Sequence, residues 1–397
     1  MSAIEPIRVL QLVNGEYWSG AERVQALLGT YAGREVDVRF LCLKDGLFIE
    51  RARELGLAVE TDRMRWRFDL LIAQRVAERV RRQRISLIHT HTVRANLIGR
   101  IAGLMAGVPV VTHVHSPTLR ETDSRLKNMT NALVDRVTSR KSDVFVAVSQ
   151  SLGDELIRSG VSTRRVSVIP NGIDIPSFCP GAARAEARAL FGEPFSSGLL
   201  VAMIGLFRPR KGAEVLIDAF EHVSRAVPNA CLVMVGSASE DAYFEQLQER
   251  CRQRELRDRV LFTGFRGDVA HLMSAFDVVA MPSLYGEGTP MALLESMAME
   301  LPVVASPVEG ISEVIVDGES GVLSSAGDVN AWANNLIGLL RDSERRREIG
   351  QAARVRVETY YSADRMAREV ETIYQRVLSG RQRGRAVIRS SRKEVTQ

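Results

Sequence analysis

The sequence predicts a pair of doubly wound α/β domains, each built on a parallel sheet. Three observations carry this. The chain has 397 residues, more than a single ordinary core takes up. In its first half, short β-branched runs alternate with helical stretches, the pattern of strands buried on both faces between crossover helices. That alternation breaks at the Pro-, Gly- and Ser-bearing segment 176–198 and then begins afresh.

In chain order, strands are expected at 7–13, 36–43, 86–91, 109–115, 144–149 and 166–171, with helical patterns such as AERVQALLGTYA and FDLLIAQRVAERVRRQ between them. The second series is 199–206, 231–236, 260–265, 278–283 and 302–306. Helical patterns at 343–358 and 362–378 close the fold, and 381–397 has no apolar periodicity and is expected to be a disordered basic tail. The domain division is therefore 1–178, 190–360, a last helix at 361–380 and the tail. In such sheets ligands gather beyond the carboxyl ends of the strands, so two domains of this kind are expected to face each other across a cleft.

Composition removes several classes. A hydrophobic content of 45% with 25% charged residues is that of a globular protein. No apolar run approaches the roughly 20 residues a spanning helix needs, and the start MSAIEPIRVLQLV enters a strand instead of forming a signal peptide. Cys42, Cys179, Cys231 and Cys251 are scattered without CxxC spacing, so the sequence predicts buried thiols in a cytoplasmic protein. Charge is uneven: net +7 over 1–180, −7 over 181–380 and +5 over 381–397. With aromatics at 6%, nucleic acid is not the expected partner. A basic N-terminal half suits an anionic lipid surface or a phosphorylated acceptor. In RMRWRFD (63–69), arginines alternate with Met64, Trp66 and Phe68, a row suited to shallow contact with such a surface. A short edge strand gives the same pattern.

The most informative segment is GEGTPMALLESMAMELPVVAS. Thr289-Pro290 marks a helix start, so Glu287 lies on the preceding loop and Glu295 more than a turn inside. Amides around Gly288, Met291 and Ala292 then open from a helix N-terminus, where an anion such as a diphosphate is held. Glu295, with two acceptor oxygens, suits a vicinal diol.

The segment resembles the paired-glutamate motif of the retaining glycosyltransferases of family 4, which have the GT-B fold. Further matches come in that family's order: SGAERV (19–24), HTHT (89–92), VVTHVHS (110–116), VIPNGID (168–174), GLFRPRKG (205–212) and MPSLYGEGTP (281–290). The resemblance spans residues 7 to 378 and implies two Rossmann-like domains, with the last helix crossing back onto the first.

It also implies roles. Lys211, after Gly205 in the strand-end loop, contacts the donor diphosphate; Leu206 stands where an Arg is usual, and Arg208 is the proposed substitute. Arg210 reads as a surface charge. Glu295 accepts from the ribose hydroxyls and Glu287 faces the transferred sugar, with Gly288, Thr289, Met291, Ala292 and Gly310 completing the donor site. His115 matches the histidine beside the donor sugar. His89, His91 and His113 have no other ligand type nearby, and no Asp-x-Asp pair follows a strand, so no metal is expected. Gly15 and Gly20 flank the loop that approaches diphosphate and acceptor, with Ser19 at a usual glycine and Tyr17 and Trp18 beside the acceptor. Glu300 and Glu309 replace two further glycines, while Gly310 and Glu313 match.

The resulting expectation is a retaining hexosyltransferase in cell-surface polysaccharide assembly. Its co-substrate is a nucleotide sugar, UDP- ahead of GDP-, with no other cofactor, and its acceptor is a saccharide or lipid-linked. It is expected in the cytoplasm or peripherally at the inner face of the membrane. A hydrolyzing nucleotide-sugar epimerase and a catalytically weak nucleotide-sugar-binding protein are the alternatives.

Overall fold

A computed structural model describes the backbone of residues 5–66, 69–116, 125–181 and 183–394, and their side chains except at 125–128 and 382–394. The chain forms two compact units, one of Met1–Gly172 with Ala363–Gln397 and one of Ile173–Ser362.

The strands of the first unit are β1 (Ile7–Val13), β2 (Val36–Cys42), β3 (Ala58–Thr61), β4 (Leu87–Thr90), β5 (Val110–Val114), β6 (Val144–Ala147) and β7 (Val166–Val168). They form one sheet in the order β3-β2-β1-β4-β5-β6-β7, parallel throughout. Leu10, Leu12 and Ile88 pack on one face against Ile72, Val76 and Val80 of the helix Leu71–Arg82 and against Ile98. Val13, Phe40 and Phe48 fill part of the other face. The strand order reverses between β1 and β4, so the loops leaving these two strands diverge and open a crevice at their carboxyl ends.

The second unit repeats the plan with β8 (Leu199–Ile204), β9 (Ala230–Val235), β10 (Val260–Gly264), β11 (Val278–Met281), β12 (Val303–Ala305) and β13 (Val322–Leu323), ordered β10-β9-β8-β11-β12-β13. All pairs are parallel. Its core centres on Leu216, Phe220, Leu232, Trp332 and Leu336. Here the reversal falls between β8 and β11.

All eleven strands expected from the sequence form. Among the described residues it missed two, β3 and β13, both sheet edges. An edge strand needs no continuous apolar run, and AVET at β3 is mostly exposed. Segment 176–198 is part of the second unit, where Arg184 and Arg188 on the helix Arg184–Ala189 both pair with Asp277. The last helix, Ala363–Glu394, belongs to the first unit. Gly172 N–H meets the Met366 sulfur at 3.1 Å, and Arg381 pairs with Asp143 at 3.1 Å. It runs on to Glu394 where the sequence suggested a disordered tail, because the straight-chain arginines, lysine and glutamine there are good helix formers. Cys179 is exposed and only the other three thiols are buried, correcting that expectation.

Candidate functional site

In the second unit the site grows from the loops after β8 and β11. Gly205, at φ +142°, turns the chain off β8, and Gly212, at φ +68°, seats it on the carbonyl of Pro282, into which a Cβ would run. Because β8 and β11 are neighbours, this brings the 3₁₀ turn Pro209–Lys211 against the loop 282–290. Lys211 Nζ donates to Glu287 Oε1. Ser283 Oγ donates to the same oxygen at 2.6 Å, and an Arg210 Nη lies 3.7 Å from it. Arg210 is no mere surface charge, since it also donates to the Gly286 carbonyl at 2.9 Å.

Glu287 is buried. Burial alone pushes its carboxyl up, but the Lys211 and Arg210 charges and the two donated hydrogen bonds outweigh this and hold it below the usual carboxylate range. An ionised carboxylate beside partly accessible cations is a site that can exchange partners with an arriving anion.

The helix Met291–Ala298 begins one residue later than the sequence suggested, with Pro290 as its N-cap. Its first amides have no intrahelical acceptor and make an anion-attracting end. Glu295 is its fifth residue and is buried, one turn along from Met291. Thr289 and Gly288 are buried in the loop before it, and Ala292 is half-buried. Gly310 N–H donates to the Glu287 carbonyl at 3.2 Å. Glu309 adopts φ +35° and Glu300 φ +56°, so the two glutamates replacing glycines both sit in left-handed backbone. Glu309 accepts from the amides of Gly286 at 2.9 Å and Glu287 at 3.3 Å, a hold on the loop that a glycine lacks. Arg208 is half-buried at the start of the turn, and Leu206 is exposed.

In the first unit, Gly15 at φ +94° lets the loop after β1 pass the Lys44 carbonyl. Gly20 opens the helix Gly20–Thr30 with Ser19 at its N-cap position, and the Glu22 carboxylate reaches back to accept from the Ser19 N–H at 3.2 Å. Trp18 packs on Phe48 while Tyr17 is exposed.

Beside this loop, β4 and β5 bring His89, His91, His113 and His115 into one stack, with His113 and His115 centroids 4.5 Å apart and His89 and His91 4.3 Å apart. Alternate residues on neighbouring strands put all four on one face. His91 Nε2 donates to the side-chain Oε1 of Gln11 on β1, and His91 Nδ1 lies 3.1 Å from His115 Nε2. Gln11 donates to the Tyr374 hydroxyl at 3.2 Å, which lies 2.7 Å from His89 Nδ1. Burial keeps all four imidazoles neutral, holding His89 down at about 3 and His115 at about 4, with His91 and His113 also far below normal. Gln11 and Tyr374 had no signal in the sequence, being 363 positions apart. Ser283 lay within a quoted motif without an assigned task.

In the row 63–68, Met64 packs on the core, Arg63 pairs with Asp45 and Trp66 is exposed. Arg67 and Phe68 lie outside the described residues. A different apolar row is laid open on the helix Arg125–Thr138, where Met129, Leu133 and Val137 recur every fourth residue at 64%, 64% and 67% exposure. Among the described residues, no helix is long and apolar enough to cross a membrane.

Comparison with known proteins bears on both units. Residues 18–176 match the family described as Glycosyltransferase Family 4, and 192–356 match Glycosyl transferases group 1. The chain is 30% identical over 323 residues to the N-acetyl-alpha-D-glucosaminyl L-malate synthase of Bacillus anthracis, covering 80% of this chain and 82% of that one. It is 32% identical over 287 residues to the D-inositol 3-phosphate glycosyltransferase of Xylanimonas cellulosilytica, covering 68% and 66%. Among solved structures, Anabaena HepE in complex with UDP and glucose superposes with a TM-score of 0.83 at 26% identity, over 93% of this chain and 99% of that one.

Proposed function

The chain belongs to the glycosyltransferases of family 4, with their GT-B fold, and we propose that it moves a hexosyl group, with retention of anomeric configuration, from a nucleotide-diphosphate sugar to a saccharide or lipid-linked acceptor. The observation that carries this reading is the cluster of Lys211, Arg210 and Ser283 on Glu287, one loop ahead of a helix N-terminus that carries Glu295.

Transfer leaves a diphosphate whose charge must be neutralised as the glycosidic bond breaks. Lys211 supplies positive charge there, with Arg208 beside it, and the amides of Met291 and Ala292 add the helix end. Glu295 accepts from the ribose hydroxyls, and Glu287, kept ionised, faces the sugar and supports positive charge at its anomeric carbon. The acceptor attacks from the side the diphosphate leaves, and the diphosphate takes its proton, so no enzyme carboxylate becomes the nucleophile. The family resemblance assigns His115 to the donor sugar. Neutralisation by side chains and amides needs no divalent ion.

The UDP donor is supported by HepE, solved with UDP-glucose, and by an Escherichia coli relative named as a UDP-Gal-dependent galactosyltransferase acting on a diphosphoundecaprenol acceptor, 24% identical over 269 residues. That acceptor, with the +7 charge of residues 1–180, favours a lipid-linked glycan in cell-surface polysaccharide assembly. The test is UDP or GDP release from a panel of nucleotide sugars with a polyprenyl-diphosphate sugar, followed by NMR of the new anomeric centre. Inversion would overturn retention, and release of nucleotide without a glycosylated acceptor would favour the epimerase reading.

A further inference from the structure

We propose that His89, His91 and His113 form a binding site for one zinc-like transition-metal ion in the first unit, with His115 at its outer edge. Each of the three offers a ring nitrogen, and these lie within 4.8 Å of one another. Zinc binds imidazole at about 2.0–2.1 Å with tetrahedral angles, which asks for nitrogens about 3.4 Å apart. Closing to that spacing takes a turn of the rings out of their stacking, in which His89 and His113 lie within 10° of parallel.

Three features separate this site from an ordinary buried histidine group. Four of the chain's six histidines gather here. His113 is 1% exposed, yet among the described residues neither of its ring nitrogens has a hydrogen-bond partner, and His89 Nε2 and His115 Nδ1 are likewise buried without one. Leaving such groups unmatched is costly, whereas a metal ion takes up one lone pair from each ring. The third feature is the way the outer nitrogens are tied. His91 Nε2–H is held by the Gln11 side-chain Oε1 and His89 Nδ1 by the Tyr374 hydroxyl, which leaves the other nitrogen of each ring facing away from these partners. Metal-bound imidazoles are oriented in this way, by an oxygen on the nitrogen facing away from the ion. His91 joins the set by giving up its Nδ1 contact with His115, and the half-buried His115 becomes available as a fourth ligand. The rings are already neutral, the state that binds metal.

An all-imidazole set selects Zn²⁺, Ni²⁺, Co²⁺ or Cu²⁺ over Mg²⁺ and Ca²⁺, which take oxygen ligands. The ion would join β4 to β5 and, through Gln11 and Tyr374, to β1 and the last helix.

The experiment reads metal binding and not activity, so it stands apart from the transferase reading. Full-length protein stripped with chelator and dialysed is titrated with Zn²⁺ by calorimetry and with Co²⁺ by visible absorption. One equivalent per chain with the intense Co²⁺ bands of four-coordination is the expected result. His113→Phe, which keeps the ring stack and removes the nitrogens, should weaken Zn²⁺ at least tenfold. Tyr374→Phe should cost about 10–100-fold, and the double variant His222→Gln/His271→Gln should bind as the parent does. Absence of stoichiometric binding, the weak Co²⁺ spectrum of six-coordination, or loss of binding only in the His222/His271 variant would each overturn the proposal. If His113→Phe fails to fold, the Co²⁺ spectrum of the unaltered chain still decides.

Discussion

Lys211 reaches Glu287 across 76 positions of sequence because β8 and β11 are neighbours, and the chemistry of each depends on the other. Lys211→Ala should lower kcat more than donor affinity, since charge on the leaving diphosphate grows toward the transition state. The variant also removes the larger of the two charges that hold the Glu287 carboxyl down. Burial then dominates, the group protonates at higher pH, and the acid limb of the kcat/KM profile should move upward. An acid limb that stays in place would detach Glu287 from the rate. Glu295→Ala deletes a charged acceptor worth about 1.5–3 kcal/mol, roughly ten- to a hundredfold in donor Kd. Calorimetry with UDP measures this, and a change under twofold would remove Glu295 from the ribose.

Elements end where backbone conformation says they must, and two ends are held by the wrong residue for the geometry. Glu300, just past the helix Met291–Ala298, adopts φ +56°. A left-handed L-residue costs roughly 1–2 kcal/mol, partly offset by the greater unfolded-state freedom of glycine. Glu300→Gly should therefore stabilise the second unit by about 1 kcal/mol and raise its Tm by about 2–4 °C, read by calorimetry. Glu309→Gly relieves the same strain but releases the amides of Gly286 and Glu287. It should loosen the loop that carries Glu287 and lower kcat, with no comparable gain in Tm. Equal gains from both variants would mean that the Glu309 carboxylate holds nothing.

At the scale of the whole molecule the basic N-terminal half meets an apolar row. If the acceptor is lipid-linked, the protein should co-sediment with anionic vesicles and detach as salt rises, because screening shortens to about 3 Å at 1 M and each Lys or Arg near the surface contributes about 1 kcal/mol. Replacing Met129, Leu133 and Val137 by Ser removes the exposed face of the helix Arg125–Thr138 and should weaken binding more than charge reversal of Arg63 and Arg65, of which Arg63 already pairs with Asp45. Loss of binding on truncation after Gly380 alone would assign the anchor to the basic end of the last helix.

The sequence by itself determined the two α/β units, eleven of the thirteen strands among the described residues and the stretch holding Glu287 and Glu295, because these rest on local signals: apolar runs, turn residues and a helix start. Edge strands β3 and β13 escaped for want of such a signal, since pairing on one side only asks little of the residues. Partnership was illegible for a different reason. That Arg210 braces the loop at Gly286, that Glu309 pins two amides, and that Gln11 and Tyr374 orient two histidines from opposite ends of the chain follow from strand order and helix docking. Such contacts join residues tens to hundreds of positions apart, and a hydrogen bond leaves no periodicity in a sequence to announce its partner.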